Sequence, residues 1–337
     1  LAHYFSSGKQ GLHPLKFSEK SGQLLGLMGA SGAGKSTLLN LLNGTMQPSQ
    51  GQVLLNGIDI YANADKVEGL IGHISQDDLL MEELTVFQNL FFNAKLCFDG
   101  LNDYQVKKRG MGTLKDLGLF EIMDLKVGSP MNKKISGGQR KRLNIALELI
   151  REPSVLFVDE PTSGLSSRDS ENIMDLLKEL ALKGKLVIVV IHQPSSEIYK
   201  MFDKLMILDT GGFPVYFGNP IEAISYFKAQ INDVTSEDVE CFNCGNVNPE
   251  QVFNILEGQV LDEYGQVTYK RRVSPEEWND KYLDNIVIED ANVDLSKPLP
   301  EGASIPSRLQ QFKVFVSRDV LSKLADTQYM VINFLET

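Results

Sequence analysis

Gly29-Ala30-Ser31-Gly32-Ala33-Gly34-Lys35-Ser36 lies between an apolar run, Leu24 to Met28, and a helical pattern that begins at Thr37. A strand, a glycine-rich loop and a helix in this order are typical of a phosphate-binding P-loop. The glycines let backbone N–H groups turn toward phosphate oxygens, and the helix N-terminus adds partial positive charge. We expect Lys35 to reach the β- and γ-phosphates and the Ser36 hydroxyl to ligate Mg²⁺. The alternative is a glycine-rich turn with a chance lysine.

The composition narrows the class of protein. The chain has 337 residues, 42% of them hydrophobic, which is enough for one large or two ordinary domains. Its net charge of −11 argues against a nucleic-acid partner, and three cysteines favour a reducing compartment over a disulfide scaffold. The sequence shows no signal peptide and no apolar run long enough to span a bilayer, so we expect the chain as given to be soluble. Its ends, Leu1 and Thr337, suggest a piece of a longer polypeptide.

Two further apolar runs, at residues 155–158 and 186–191, read as buried parallel strands that end in polar side chains. The first leads into Asp159 and Glu160, a carboxylate pair that is costly to bury without a cation. Asp159 is therefore expected to hold Mg²⁺, and Glu160 to polarise the attacking water. His192 follows the second strand. Because open α/β sheets bind ligands at the carboxyl ends of their strands, we expect His192 to sense the γ-phosphate rather than to be structural.

Gln76 and a second helix start complete the set of candidate residues. Gln76 follows a short strand, Leu70 to Ser75, and is a candidate for sensing Mg²⁺ or the attacking water, although a glutamine at such a position is more often a plain loop residue. The stretch Ser136-Gly137-Gly138-Gln139 has capping-box spacing and precedes a helical pattern. A helix N-terminus with a hydroxyl and two glycines is also an anion site, and its alternative is an ordinary helix cap.

Between these motifs, the sequence predicts both strands and helices. Residues 51–60 predict a hairpin with an Asn-Gly turn, and residues 77–150 read as helical. Thr85 is a predicted N-cap, and the helix after it places four apolar residues at helical spacing: Phe87, Leu90, Phe91 and Ala94. Near the N-terminus, Tyr4 or Phe5 is a candidate for stacking on an adenine ring, with an ordinary strand aromatic as an even alternative.

Residues 221–307 lack the βα pattern and read as an appended extension that ends in a polar, proline-bearing linker at 291–307. Cys241 and Cys244 have metal-ligand spacing, but zinc needs about four ligands and the chain has no second pair, so a reduced structural pair is favoured. Residues 308–337 predict an amphipathic connecting helix followed by the start of an apolar run. Its apolar residues are Leu309, Phe312, Val316 and Val320.

The P-loop, Gln76, Ile135 to Gln139, Asp159-Glu160 and His192 occur in the order found in the ATP-binding domains of ABC transporters, which residues 1–220 resemble. Other stretches resemble the ABCG (White-type) subfamily, whose ATPase domain precedes its membrane domain. They are Gly137 to Arg142 with Asn144 to Leu149, Asp159 to Leu165, His192-Gln193-Pro194-Ser195, and more weakly Asn248-Pro249-Glu250 and Glu276-Glu277-Trp278. One departure is Ser166, at a D-loop position where the subfamily usually has an aspartate that links the two nucleotide sites of a dimer.

The resemblance implies a P-loop NTPase (RecA-like) α/β core with an ABC-type antiparallel β subdomain and an α-helical signature subdomain at about 77–150. It implies ATP and Mg²⁺ as cofactors, with Ser36, Gln76 and Asp159 at the metal. It also implies a homodimer or heterodimer that sandwiches two ATP molecules. In it, the P-loop of one copy (Gly29, Ala30, Ser31, Gly32, Ala33, Gly34, Lys35, Ser36 and Thr37) faces Ser136, Gly137, Gly138 and Gln139 of the other.

The same resemblance assigns roles in hydrolysis and transport. Glu160 would position or deprotonate the water, His192 and Lys35 would contact the γ-phosphate, and Gln76 would relay the state of the site to the helical subdomain. The chain would then be the ATPase front half of an exporter half-transporter at the cytoplasmic face of the cell membrane, with the membrane domain C-terminal in the same polypeptide.

Two other classes of function are considered. A soluble ABC-type ATPase acting on ribosomes or DNA would need a basic face, which the acidic balance opposes. A nucleotide-dependent regulatory module without turnover would be favoured by the loss of Glu160 or His192, and the sequence has both.

Overall fold

The computed structural model describes residues 1–129, 131–231, 248–262, 264, 266–285 and 305–336. Cys241 and Cys244, and most of the predicted linker, lie outside the described residues. The chain divides into two compact units, each with its own packing. We call them the core unit (Leu1–Lys66, Ser154–Thr162 and Met174–Leu299) and the helical unit (Val67–Pro153, Ser163–Ile173 and Pro300–Thr337).

The strands of the described chain are β1 (His3–Tyr4), β2 (Gln10–Leu12), β3 (Leu24–Gly29), β4 (Leu54–Leu55), β5 (Ile58–Asp59), β6 (Ile71–Ile74), β7 (Val155–Asp159), β8 (Leu186–Val190), β9 (Lys204–Asp209), β10 (Phe213–Gly218), β11 (Gln259–Leu261) and β12 (Val267–Arg271). The helices are α1 (Lys35–Leu42), α2 (Ala64–Val67), α3 (Val86–Cys97), α4 (Asp103–Asp116), α5 (Gly137–Leu149), α6 (Ser167–Leu182), α7 (Ser196–Met201), α8 (Pro220–Gln230), α9 (Glu250–Leu256), α10 (Pro275–Asn285), α11 (Arg308–Ala325) and α12 (Thr327–Glu336). A short 3₁₀ helix covers Phe120–Ile122.

The central sheet of the core unit runs in the order β10-β9-β3-β8-β7. Strands β9, β3, β8 and β7 are parallel, and β10 pairs antiparallel with β9. Every residue of β3 is buried, as is expected for a parallel strand that is covered on both faces. Because β3 lies between two strands that come much later in the chain, the loop after it opens at a position where such sheets bind ligands. The α/β core expected from the sequence is confirmed.

Small antiparallel elements accompany this sheet within the core unit. β1 pairs with β2, and β4 pairs with β5 across Asn56-Gly57. Asn56 and Gly57 have φ angles of 47° and 79°, the left-handed conformation that a two-residue hairpin turn of this type requires. The predicted Asn-Gly hairpin is therefore present.

Residues beyond 220 continue the core unit by covering β10. α8 and α10 both contact that strand. Trp278 on α10 and Phe227 on α8 are fully buried, with ring centroids 5.3 Å apart in an edge-to-face arrangement. The Asn279 side chain donates a 2.7 Å hydrogen bond to the Pro214 carbonyl of β10. The aromatic pair and this hydrogen bond tie the extension to the sheet.

The helical unit contains α3, which is capped as the sequence predicts. The Thr85 hydroxyl accepts from the Gln88 N–H, and the Gln88 side chain accepts from the Thr85 N–H. The predicted apolar face is only partly right, because Phe87 and Phe91 are half-buried whereas Leu90 and Ala94 are buried. The helix is contacted by α4, α5 and α11, so its buried surface is wider than one stripe. That surface consists of Val86, Asn89, Leu90, Phe92, Ala94 and Cys97.

The predicted connecting helix is α11, which contacts α3 within the helical unit. Lys126 Nζ donates a 2.8 Å hydrogen bond to the Ala325 carbonyl at the end of α11. The four apolar residues singled out in the sequence do not form this contact surface, because they are 45 to 65% exposed: Leu309, Phe312, Val316 and Val320. In the described part of the chain, every helix is too short or too polar to cross a bilayer.

Candidate functional site

A cavity of about 330 Å³ in the core unit lies over the start of α1. One wall is the segment from Gly32 to Thr37, and the other comes from the β1–β2 loop and from β2: Phe5, Lys9, Gln10 and Gly11. Gly34 is the N-cap of α1 with φ of 88°, and no side chain caps this helix. The free end of α1 and the predicted phosphate-binding residues therefore face the same space.

Lys35 is the buried cation of this cavity, with 7% of its surface exposed. Its Nζ donates hydrogen bonds of 2.8 and 2.9 Å to the carbonyls of Gly29 and Ala30. Burial lowers the pKa of Lys35, whereas the negative charges of Glu160 and Asp159 act to raise it. The predicted carboxylate pair at the end of β7 thus acts electrostatically on the predicted phosphate-binding lysine.

Glu160 and His192 are paired in the core unit. Glu160 Oε1 lies 3.2 Å from His192 Nε2, and the Glu160 N–H donates to the Val190 carbonyl at the end of β8. Glu160 and Gln193 have φ angles of 44° and 40°, which are uncommon for residues other than glycine. Such backbone conformations cluster at functional sites, where the surrounding structure holds them in place. The sequence pattern gave no sign of these angles.

Of the two aromatic candidates for adenine stacking, Phe5 is the one that lines the cavity. Its ring lies directly over Gly11, where an added Cβ would come within 2.4 Å of the ring. Gly11 therefore leaves room for the ring, and any larger residue would displace it. The exposed fraction of Tyr4, on β1, is 41%, close to the 39% of Phe5.

The helical unit holds the other predicted site residues. Ser136 caps α5: its hydroxyl accepts from the Gln139 N–H at 3.2 Å, and Gln139 Oε1 accepts from the Ser136 N–H at 2.8 Å. Gly138 packs tightly against Asp169 at the start of α6, where an added Cβ would come within 2.7 Å of Asp169 Oδ1. The predicted capping box is present, and Gly138 lies close against the Asp169 side chain.

Gln76 is exposed, just past β6, and α5 holds its backbone. Lys141 Nζ donates to the Gln76 carbonyl at 3.1 Å. Arg140, 6% exposed, donates from Nε and Nη2 to the two carboxylate oxygens of Asp78 at 2.9 and 3.0 Å, and it also bonds the Gly128 carbonyl. Two cations from the capped helix therefore anchor the loop that carries Gln76.

Two family models match this chain. A family model described as ABC transporter matches residues 12–163, and one described as ABC-2 type transporter matches residues 192–286. ABC transporter G family member 22 of Arabidopsis thaliana is 34% identical over 84% of this chain and 40% of its own length. The chain belongs to the G family of ABC transporters.

Other relatives agree with this placement. The broad substrate specificity ATP-binding cassette transporter ABCG2 of Bos taurus is 40% identical over 60% of this chain and 31% of its own length. ABC transporter G family member 24 of Dictyostelium discoideum is 37% identical over 68% of this chain and 20% of its own length. The chain thus spans 20 to 40% of the length of these three relatives.

A solved structure shows the same fold. It is cbiO1 of Clostridium perfringens, described as part of the ABC transporter complex cbiONQ. It matches with a TM-score of 0.60 and 29% identity, over 71% of this chain and 93% of its own length. The fold and the nucleotide-binding character of this G-family chain follow from these matches and from the cavity at α1.

Ser166, the G-family departure in the D-loop, has a local role in the helical unit. Its hydroxyl donates to Asp169 Oδ2 at 2.8 Å and accepts from the Asp169 N–H at 3.2 Å. It therefore caps the start of α6, where serine is a preferred N-cap residue. An aspartate would also cap this helix, so the serine preserves the local structure while removing one carboxylate.

Sequence reasoning missed some cavity-lining residues. Lys9, Gln10 and Gly11 belong to the β1–β2 hairpin, and Gly211 belongs to the turn between β9 and β10. The Gly211-Gly212 pair between two apolar strands was a usable turn signal. Nothing in the local pattern, however, could show that this turn lies beside a loop about 180 residues earlier in the chain.

Proposed function

We propose that this chain binds and hydrolyses ATP to drive a G-family exporter half-transporter. The observation that carries the proposal is the arrangement in the core unit: Lys35 lines the cavity under the electrostatic influence of Asp159 and Glu160, and His192 is paired with Glu160. This constellation combines a phosphate cradle with the groups that water attack on a phosphate requires.

The phosphates of ATP would occupy the cavity at the start of α1. The N–H groups of the loop and the helix end supply positive potential, and Lys35 supplies a charge that can exchange its two carbonyl partners for phosphate oxygens. Phe5 is the aromatic in the wall and would stack on the adenine ring.

The donor set fits Mg²⁺. Within the core unit, Ser36 lines the cavity and Asp159 ends β7; hydroxyl and carboxylate oxygens are ligands that Mg²⁺ accepts. The described residues contain no cluster of three or more His, Cys, Asp or Glu side chains that could hold a metal alone. This agrees with an ion held by one carboxylate and by substrate phosphates. When bound, Mg²⁺ would neutralise charge on the β- and γ-phosphates.

Glu160 and His192 would act on the attacking water. Glu160 has a left-handed backbone conformation, and its carboxylate lies beside the His192 imidazole. In the proposed mechanism, Glu160 accepts the proton of water as the water attacks, and His192 holds the γ-phosphate by a hydrogen bond. The pairing at 3.2 Å fixes the imidazole beside the carboxylate before nucleotide arrives.

The second half of the site would come from another ATP-binding domain. Ser136 to Gln139 form a capped helix start with two glycines, an anion-binding geometry on the helical unit. In a dimer of two such domains, this end would face the nucleotide held by the partner's P-loop and stabilise its charge from the opposite side. ATP would close this dimer, and hydrolysis would open it.

The membrane domain would follow in the same polypeptide. The apolar residues of α11 stay exposed although the helix already contacts α3, and those of α12 are 41 to 84% exposed: Tyr329, Met330, Val331, Ile332 and Phe334. Such surfaces fit burial against a membrane domain or the lipid interface at the cytoplasmic face. The native reading frame tests this: hydrophobic spans are expected after Thr337, and a frame that stops there would contradict a single-chain half-transporter.

The test of the ATPase itself uses the purified chain with ATP and Mg²⁺. We expect turnover that rises more steeply than linearly with protein concentration, because two copies form each site, and that stops when EDTA removes the metal. Failure to bind ATP in equilibrium dialysis would contradict the proposal. So would turnover strictly proportional to protein concentration and unaffected by EDTA.

A further inference from the structure

A buried ion pair in the core unit links the extension to the nucleotide cavity. Asp209 ends β9 and its side chain is 2% exposed. Arg271, the last residue of β12, places Nη1 at 2.8 Å from both carboxylate oxygens of Asp209. A carboxylate buried to this degree needs such a partner, since an unpaired charge away from water is strongly unfavourable.

Asp209 also closes the turn between β9 and β10. Its Oδ1 accepts from the Thr210 N–H at 2.6 Å, and its carbonyl accepts from the Gly212 N–H at 3.1 Å. Gly211 and Gly212 have φ angles of 91° and 85°, so the chain turns through two left-handed residues. The Asp209 carboxylate is therefore the side-chain anchor of a turn made of two flexible residues.

That turn is one wall of the nucleotide cavity. Gly211 lines the cavity together with the P-loop. Gly34, the N-cap of α1, approaches Gly212 so closely that an added Cβ on Gly34 would lie 3.3 Å from the Gly212 Cα and 2.9 Å from the Gly11 carbonyl. The Gly212 carbonyl also accepts from the His13 N–H at 2.8 Å. Movement of the turn would therefore move the wall against which the start of α1 is packed.

We propose that Arg271 is a positioning residue for nucleotide binding: it anchors the Asp209–Gly212 turn and thereby holds the cavity wall against the P-loop. The inference rests on the proposed binding of nucleotide at Lys35 and α1. This anchoring would give the β11–β12 hairpin of the extension a role at the nucleotide cavity, although Arg271 acts only through Asp209 and the turn. The extension would thus set the affinity for ATP and leave the chemistry to Glu160.

The chain offers a matched control on the same strand. Lys204, the first residue of β9, bonds Glu19 at 2.7 Å, and the Glu19 side chain is 3% exposed. Lys204 and Asp209 are separated by the length of the strand, about 17 Å. Lys204→Gln therefore leaves a buried carboxylate unpaired, as Arg271→Gln does, but at the end of β9 away from the turn.

The experiment measures ATP affinity, KM and kcat on the full chain carrying Arg271→Gln, Arg271→Lys or Lys204→Gln, with thermal unfolding of each variant. We expect Arg271→Gln to raise Kd and KM for ATP on the order of tenfold with kcat at saturating ATP unchanged. Arg271→Lys is expected to restore part of the loss, because lysine returns the positive charge but not the planar guanidinium group. Lys204→Gln is expected to lower the unfolding midpoint and to leave Kd unchanged.

A double variant covers the case in which Arg271→Gln fails to fold. Asp209→Asn with Arg271→Gln removes the buried charge but not the need for an anchor, so it is expected to fold and to keep the raised Kd. Wild-type Kd in the double variant, or equal Kd changes in Arg271→Gln and Lys204→Gln, would overturn the inference. A wild-type chain that binds no ATP would instead overturn the proposed function on which the inference rests.

Discussion

Two helix N-termini rich in glycine can be compared in this molecule, and they differ in how their N–H groups are satisfied. α1 in the core unit begins after Gly34, which has no side chain to cap it. α5 in the helical unit begins after Ser136, and the Ser136–Gln139 capping box occupies two of its N–H groups. Four N–H groups at the start of any α-helix lack partners within the helix.

The difference indicates different duties for the two ends. The uncapped end of α1 opens into a cavity with Lys35, so its donors are available to a ligand from the same chain. The capped end of α5 keeps its own structure without ligand and offers chiefly the N–H groups of Gly137 and Gly138. We infer that α1 binds nucleotide unaided and that α5 adds to a site already occupied.

The largest expected effect concerns chemistry on the α1 side. Glu160→Gln is expected to lower ATP turnover by at least about a hundredfold, the scale of losing a general base, and to leave ATP affinity intact. Steady-state turnover and equilibrium binding measure the two quantities. The matched control is Glu197→Gln, an exposed carboxylate in the first turn of α7 that should leave turnover unchanged. Wild-type turnover in Glu160→Gln would remove this residue from the mechanism.

The next largest expected effect concerns the binding of ATP at the start of α1. Lys35→Ala is expected to weaken ATP binding about 10- to 100-fold, because hydrogen bonds to a charged group contribute about 1.5 to 3 kcal/mol. Isothermal titration calorimetry measures the change, with the exposed Lys20→Ala as the control. Unaltered affinity in Lys35→Ala would mean that the nucleotide binds elsewhere on the chain.

The smallest expected effect comes from removing the cap of α5, and it tests whether the α5 end has a different role from the α1 end. Ser136→Ala is expected to cost about 1 kcal/mol of unfolding free energy, as the loss of an N-cap does, and to leave the ATP affinity of the isolated chain unchanged. Thr85→Ala removes the equivalent capping box of α3 in the same unit and should cost a similar amount. Only Ser136→Ala should reduce turnover. An equal fall in turnover in both variants would show that α5 contributes stability alone.

Much of this arrangement could be predicted from short stretches of sequence. The strand before Gly29, the Asn56-Gly57 turn and the capping boxes at Thr85 and Ser136 each depend on residues a few positions apart, and all are present. The buried runs around 155–158 and 186–191 also form adjacent parallel strands, β7 and β8. Local chemistry decides these features, so a local pattern is sufficient to predict them.

Features that depend on distant partners were not predictable in this way. The apolar spacing of α3 did not show that Phe87 and Phe91 stay half-exposed, since three neighbouring helices determine which sides are covered. Periodicity in α11 correctly marked an amphipathic helix, but the marked residues stay exposed. Likewise, no pattern around Arg271 shows that it reaches Asp209, 62 residues earlier.

If the α5 end completes a nucleotide site held by another copy, two copies must associate when ATP is bound. Sedimentation velocity of Glu160→Gln, with and without Mg-ATP, measures this association, because this variant should bind ATP without consuming it. We expect a monomer without nucleotide, a dimer with Mg-ATP, and loss of that dimer when Lys35→Ala is added. A dimer that forms without nucleotide, or a monomer that persists at saturating Mg-ATP, would contradict it.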